Sequence, residues 1–329
     1  MNVPGWVWIA TIGGLLMLLA IDLVIVDRKP HEVTIGEAAR WVVFYVVCAA
    51  VFGVGIWIFY GGQYSAQFFT GYITEYSLSV DNLFVFVIIM STFSVPAIHQ
   101  HKVLLVGIVL ALIMRGIFIA LGSAVISRFT WVFYLFGLFL IYTAWKLASR
   151  REAEDEEFKE NIALRAVRRL LPVTDDYRGA RVVVRERARL LFTPMFVVMV
   201  AIGTTDLLFA LDSIPAIFGL TKEPFLVFTA NAFALMGLRQ LYFLVGGLLD
   251  RLVYLSIGLA VILGFIGVKL ILEAMHDNHL PFLNGGRPLP VPQIDITMSL
   301  LVIVVVLAVT TGASLLKVRR HPDAVRRLE

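Results

Sequence analysis

Five carboxylates stand where carboxylates are costly. Asp22, Glu75, Asp81, Asp206 and Asp212 each fall inside a run of apolar residues, and Glu273 falls at the end of another. A charge at the centre of a bilayer costs from about 2.5 to more than 10 kcal/mol. These acids must therefore face one another, a cation, water, or the two arginines that share their surroundings, Arg115 and Arg239. Four of the acids form two pairs. Glu75-Tyr-Ser-Leu-Ser-Val-Asp81-Asn82 and Asp206-Leu-Leu-Phe-Ala-Leu-Asp212-Ser213 have the same pattern, and both acids repeat at an offset of 131 residues. Six helical residues turn by about 600°, which sets the acids of a pair about 120° apart and about 9 Å along the axis. Glu75, Ser79 and Asn82 make one polar stripe, and Thr74, Ser77 and Asp81 the adjacent one. Thr204, Thr205, Asp206, Asp212 and Ser213 make the counterpart.

Two such arcs facing each other would supply a cation with oxygen ligands only. The expected set is Glu75, Asp81, Asn82, Asp206, Asp212 and Ser213, with Asp22, Ser79, Arg115, Asn231 and Arg239 as a supporting polar core. Oxygen ligands suit Mn²⁺, Mg²⁺ or Ca²⁺, whereas Cu⁺ or Zn²⁺ would call for thiolate or imidazole. No histidine falls inside an expected span. Pro215 removes a backbone donor and is expected to break its helix, freeing carbonyls for the ion. Structural roles compete with this reading. Arg115 and Arg239 can neutralise two acids, Asp22 fits a salt bridge equally well, Asn231 fits a helix-bridging amide, and Met90 and Met199 fit core packing. His276-Asp277-Asn278-His279 has a metal-like spacing but reads first as a polar loop. The chain has no phosphate loop and no nucleophile triad, and it is not expected to be an enzyme or to hold a permanent cofactor.

The elements that must carry these residues are membrane spans. The 329 residues are 59% hydrophobic and 16% charged, with a mean hydropathy of +0.86, which excludes most soluble enzymes, nucleic-acid binders and disordered scaffolds. Nine stretches reach the roughly 20 apolar residues that a bilayer requires: Trp6–Val26, Trp41–Tyr60, Phe68–Met90, Val103–Ile126, Phe129–Leu147, Met195–Leu220, Phe225–Leu249, Leu252–Leu272 and Ile296–Leu316. The first lacks the features of a signal peptide and reads as a retained span. With nine spans, 22 of the 28 Lys and Arg fall on one side, and only Arg128, Lys222 and Arg287 on the other. That asymmetry predicts a cell-membrane protein with its N-terminus outside and its C-terminus in the cytoplasm. Cys48, the only cysteine, excludes an internal disulfide and reads as a packed thiol.

The expected fold is all-α and polytopic, with two inverted three-helix repeats. Residues 1–65 hold two spans and 66–148 the first three-helix unit. Residues 149–192 form a charged cytoplasmic linker with one amphipathic helix. Residues 193–275 form the second, inverted unit, 276–294 an external loop, 295–317 the last span and 318–329 a basic tail. Ala111-Leu-Ile-Met-Arg115 matches Ala234-Leu-Met-Gly-Leu-Arg239, and Trp145-Lys146-Leu147 matches Val268-Lys269-Leu270, which extends the repeat beyond the acids. Lys146 and Lys269 read as snorkelling to the interface. Inverted repeats are a common construction of secondary transporters, with the site at the midplane between halves.

The segments from Glu75 to Phe84, Asp206 to Pro215, and Thr229 to Arg239 resemble the signatures of the TerC/Alx family of integral membrane proteins, and the resemblance runs over nearly the whole chain. It implies a manganese exporter of the LysE-like cation exporter superfamily, with the acids of the two signature spans as its site. It also implies a link to metal homeostasis and to the tellurite resistance from which the family is named. Manganese comes from the resemblance; the residues themselves specify only an oxygen-ligated cation. The expected mode is export, with exchange for protons through the same carboxylates. The expected partners are the bilayer, Mn²⁺ or a similar cation, protons, and membrane or secretion-machinery proteins at 149–192, with no nucleic acid. The competing classes are a non-transporting partner in a stress-response or secretion complex, and a proton-coupled transporter of another solute such as tellurite.

Overall fold

In the computed structural model, the described residues are 1–27, 34–126, 128–129, 131–149, 172–174, 176–179, 181–186, 189–245, 253–276 and 287–320. The side chains of 22–27, 81, 84, 97, 186, 189 and 245 fall outside the description, so the expectations for Asp22 and Asp81 concern residues not described beyond their helical backbone. Residues 150–171, 277–286 and 321–329 also lie outside it, and with them most of the expected linker helix, the Asp277-Asn278-His279 loop and most of the basic tail.

Nine helices are described: α1 (Gly5–Asp27), α2 (Ile35–Tyr60), α3 (Gly62–Thr92), α4 (Ala97–Ile126), α5 (Val132–Ser149), α6 (Pro194–Phe218), α7 (Pro224–Val245), α8 (Leu255–His276) and α9 (Ile296–Arg320). The protein is an all-α polytopic membrane protein. Local signals set several ends. Thr34 caps α2 by accepting from the Glu37 amide, and Pro194 opens α6, where a missing N–H is harmless. Seven helices are long and apolar enough to cross a membrane; α1 has a shorter apolar stretch, Gly5–Ile21, and α7 is not among the seven. The reason for α7 is its position. Almost every residue from Phe225 to Tyr242 is buried against other helices, so it does not have to present an apolar face to lipid and can carry Asn231, Arg239 and Gln240.

Three features differ from expectation. Pro215 does not break α6, which continues to Phe218. In the last turn a proline deprives only one carbonyl of its donor. Helix α4 starts at Ala97, so it contains His99 and buries His101. Part of the linker is β-structure: β1 (Val183–Glu186) pairs antiparallel with β2 (Arg189–Phe192), as its β-branched and apolar residues favour. This hairpin sits on the helix bundle. Thr193 donates to the Arg181 carbonyl at 2.6 Å, and the Tyr177 hydroxyl donates to the Phe93 carbonyl, just past α3, at 2.7 Å.

The broadest helix pairings join α3–α5 to α6–α8 rather than lying within either group: α5 on α8, α3 on α7 and α4 on α6. The register gives their directions. Gly71 faces Ala230 and Tyr76 faces Gly237, so α3 and α7 are parallel; Gly107 faces Ile202 and Gly122 faces Phe218, so α4 and α6 are parallel. Helices α5 and α8 are antiparallel, for the Tyr134 hydroxyl donates to the Ala274 carbonyl at 3.0 Å while Ala144 faces Gly264. At their crossing the backbones touch. A Cβ on Gly137 would lie 2.8 Å from the Gly267 carbonyl oxygen, and a Cβ on Gly267 would lie 2.8 Å from that of Gly137. Small residues allow such an approach, and in lipid, packing of this kind drives association. Helices α1 and α2 pack on α7, and α9 packs on α8 and α3. The rings of Trp8, Phe52, Phe68, Phe225 and Phe233 join α1, α2, α3 and α7.

Candidate cation site

Arg115 of α4 joins the first acid of each signature. Its Nε and Nη2 donate to the two carboxylate oxygens of Asp206, at 3.2 and 3.1 Å, in a side-on fork. Its Nη1 donates to Glu75 Oε1 and, at 3.2 Å, to Ser213 Oγ. Four of the five guanidinium N–H donors are thus engaged. All four residues are buried: Glu75 is 0% exposed, Arg115 1%, Asp206 2% and Ser213 2%. With both acids ionised the cluster carries one excess negative charge. An isolated buried charge costs several kcal/mol, so the cluster favours a further positive charge, whether a cation or a proton. Glu75 Oε2 accepts no hydrogen bond among the described residues, and the buried Ser79 Oγ and Asn231 Nδ2 are likewise without a partner. Ser79 lies one turn from Glu75 on the same face of α3.

The second acid of α6 has different surroundings. Asp212 is half-buried and lines a cavity of about 270 Å³ with Asn82, Ser213, Thr143, Tyr142 and Lys146, walled by apolar side chains that include Phe139 and Leu263. Thr143 Oγ1 donates to Asp212 Oδ1 at 3.3 Å. Ser213 belongs to both places, accepting from Arg115 and lining the cavity. The cavity lies wholly on one side of the Gly137–Gly267 crossing, towards the end of α5 that leads into the linker.

The expected ligands therefore divide. Asn82, Asp212 and Ser213 share the cavity, while Glu75 and Asp206 are tied to Arg115, as the competing salt-bridge reading had it. Arg239 is buried on α7, and no group of three or more His, Cys, Asp or Glu with metal-binding geometry occurs among the described residues. Met90 and Met199 are buried in the apolar core. Sequence reasoning missed Thr143, although the single threonine of the mostly apolar α5 was a visible signal. Lys146, exposed near the end of α5, also lines the cavity. Lys269 does not snorkel; it is 8% exposed and donates to Ser299 Oγ of α9 at 3.0 Å.

Residues 60–321 match the family model described as "Integral membrane protein TerC family". An uncharacterized membrane protein of Mycobacterium tuberculosis H37Rv is 49% identical over 331 residues, covering 99% of this chain and 83% of the relative. A membrane protein of Myxococcus xanthus is 44% identical over 267 residues, 81% of this chain and 83% of that one. The "Putative membrane-bound redox modulator Alx" of Escherichia coli K12 is 38% identical over 274 residues, 80% of this chain and 84% of that one. No solved structure matches.

Proposed function

Since this chain belongs to the TerC family of integral membrane proteins, we propose that it exports a divalent metal cation, manganese, across the cell membrane in exchange for protons. The observation that carries the reading is the cavity on Asp212, Asn82, Ser213 and Thr143, next to a buried Glu75–Arg115–Asp206 cluster with one excess negative charge. Its donors are carboxylate, amide and hydroxyl oxygens, a set that suits a hard cation. A scaffold would gain nothing from burying these charges. An oxyanion such as tellurite would meet an acidic centre. Cys48 as the lone cysteine gives a redox role of the kind named for the Alx relative no second thiol within the chain.

The helix pairings suggest how the ion moves. The 131-residue offset of the acids carries Gly71 to Ile202, and the Gly71–Ala230 contact recurs as Ile202–Gly107. The Gly137–Ile271 contact recurs as Gly267–Ile141. The two three-helix groups thus meet through equivalent contacts, as an inverted repeat requires, and exchanging their tilts moves access from one face to the other. In this reading the linker end is cytoplasmic and the cavity is the cytoplasmic entry. The ion enters on Asp212 and Asn82 and is held beside the Arg115 cluster.

The test is flux of Mn²⁺, set against Mg²⁺, Ca²⁺ and Zn²⁺, in vesicles with an imposed pH gradient. Asp212→Asn keeps the shape and removes the charge, so it should abolish transport while the protein still inserts. Normal Mn²⁺ flux in Asp212→Asn would refute this site, and flux indifferent to the pH gradient would exclude the exchange.

A further inference from the structure

The equivalence of Gly137 with Gly267, and of Ile141 with Ile271, sets an offset of 130 residues between α5 and α8. Lys146 therefore corresponds to His276 rather than to Lys269, as residue similarity had suggested. The offset also identifies what stands opposite the cavity, beyond the crossing. Phe139, which lines the cavity and is 38% exposed in all, corresponds to Lys269, 8% exposed. Leu263 of the cavity wall corresponds to Phe133. Thr143, which donates to Asp212, corresponds to Glu273.

Charges bind these counterparts together. Lys222, in the turn between α6 and α7, pairs with Glu273 at 2.8 Å and lies 5.0 Å over the Phe133 ring. Lys269 donates to Ser299 Oγ at 3.0 Å and lies one turn before Glu273 on the same face of α8. The Lys222–Glu273 pair is itself half-exposed, its side chains 42% and 31% accessible.

We infer that Glu273 is a cation ligand of the opposite-facing state, standing there as Thr143 stands here. This rests on the transport reading above. When the tilts of the two groups exchange, position 273 of α8 takes the place that position 143 of α5 holds now, and meets a divalent, oxygen-ligated cation. In the present state Lys222 occupies its carboxylate. Closing that side again returns Glu273 to Lys222 and Lys269, so two tethered ammonium groups compete with the ion and speed its departure. The two faces therefore differ in chemistry: a hydroxyl assists the acid on the linker side, and a second carboxylate assists it on the other.

Right-side-out and inside-out membrane vesicles from cells expressing the full chain test this, with radioactive Mn²⁺ as the probe on each face. Glu273→Gln should raise the half-saturating Mn²⁺ at the face carrying Lys222 by about tenfold and leave the linker face within about twofold. Glu273→Asp, which keeps a carboxylate, should stay near the wild type. Lys222→Gln breaks the same ion pair but spares the ligand, so it should not raise half-saturation at either face. An unchanged value for Glu273→Gln at its own face, an equal shift at both faces, or the same rise in Lys222→Gln would overturn the assignment. Absence of saturable Mn²⁺ transport in the wild type at either face would instead overturn the transport reading, and this inference with it.

Discussion

Replacing Arg115 by Gln should be among the most damaging single changes to this bundle. The substitution removes the fork on Asp206, the Glu75 contact and the bond to Ser213 together. It leaves two carboxylates, 0% and 2% exposed, without their counter-charge. Removing one partner of a buried ion pair costs about 3–5 kcal/mol. Taking up a proton at pH 7 instead costs an ordinary carboxyl about 4 kcal/mol, so both routes give the same scale. Arg115→Lys keeps the charge but has no planar fork to reach three partners at once, and should lose about 1–3 kcal/mol. The assay is thermal denaturation of detergent-purified protein, followed as the fraction that stays monodisperse. The decisive comparison is Arg115→Gln with and without Glu75→Gln and Asp206→Asn. Neutralising both acids removes what made the vacancy costly, so the triple variant should recover most of the lost stability. An Arg115→Gln protein as stable as the wild type, or a triple variant no better than the single one, would refute the reasoning.

Three other outcomes are expected. Gly137→Ala puts a methyl 2.8 Å from a backbone oxygen that cannot swing away, and overpacking of this kind costs about 1–3 kcal/mol; Gly14→Ala, with nothing within 4 Å of the added atom, should be neutral or stabilising in the same melts. Thr143→Val deletes the 3.3 Å bond to Asp212 and should weaken Mn²⁺ binding at the linker face alone, as read from half-saturation of flux. The Tyr177 hydroxyl, raised above its ordinary value by burial, holds the hairpin through Phe93. Its contribution of about 1 kcal/mol should be complete below pH 10 and vanish as pH rises through the raised value; hydrogen exchange in residues 172–192 should follow that pattern, and Tyr177→Phe should abolish it.

Apolar run length reports bilayer thickness, so the helices were legible along the sequence to within a few residues for spans such as Ile296–Arg320. The polar arcs on α3 and α6 were legible for the same energetic reason, since acids in apolar runs need a purpose. What neighbouring helices do to each other was not. Arg115 could have served either Glu75 or Asp206, and only the packing of α4 against α6 lets it serve both. The equivalence of α5 and α8 was misread through Lys146 and Lys269 because charged side chains are conspicuous, whereas the register is set by Gly137 and Gly267, where backbones meet. The span of α4 was drawn too short because His99, Gln100, His101 and Lys102 look like a loop, yet they form its first turns.

The cross-pairing of the two groups has a consequence for biosynthesis. Helices α3, α4 and α5 leave the ribosome well before their principal partners α7, α6 and α8 exist, and must wait in lipid. During that interval Glu75 and Arg115 already reside on neighbouring segments of the nascent chain and can meet as a neutral couple, the least expensive way to keep either in a bilayer. Asp206 arrives only after the long charged linker has been translated, and it brings the unbalanced charge with it. The order of synthesis thus defers the electrostatic load until the helices that can enclose it are in place. Moving the arginine to the later half, to α7 for example, would strand Glu75 alone at the stage when the membrane tolerates it least.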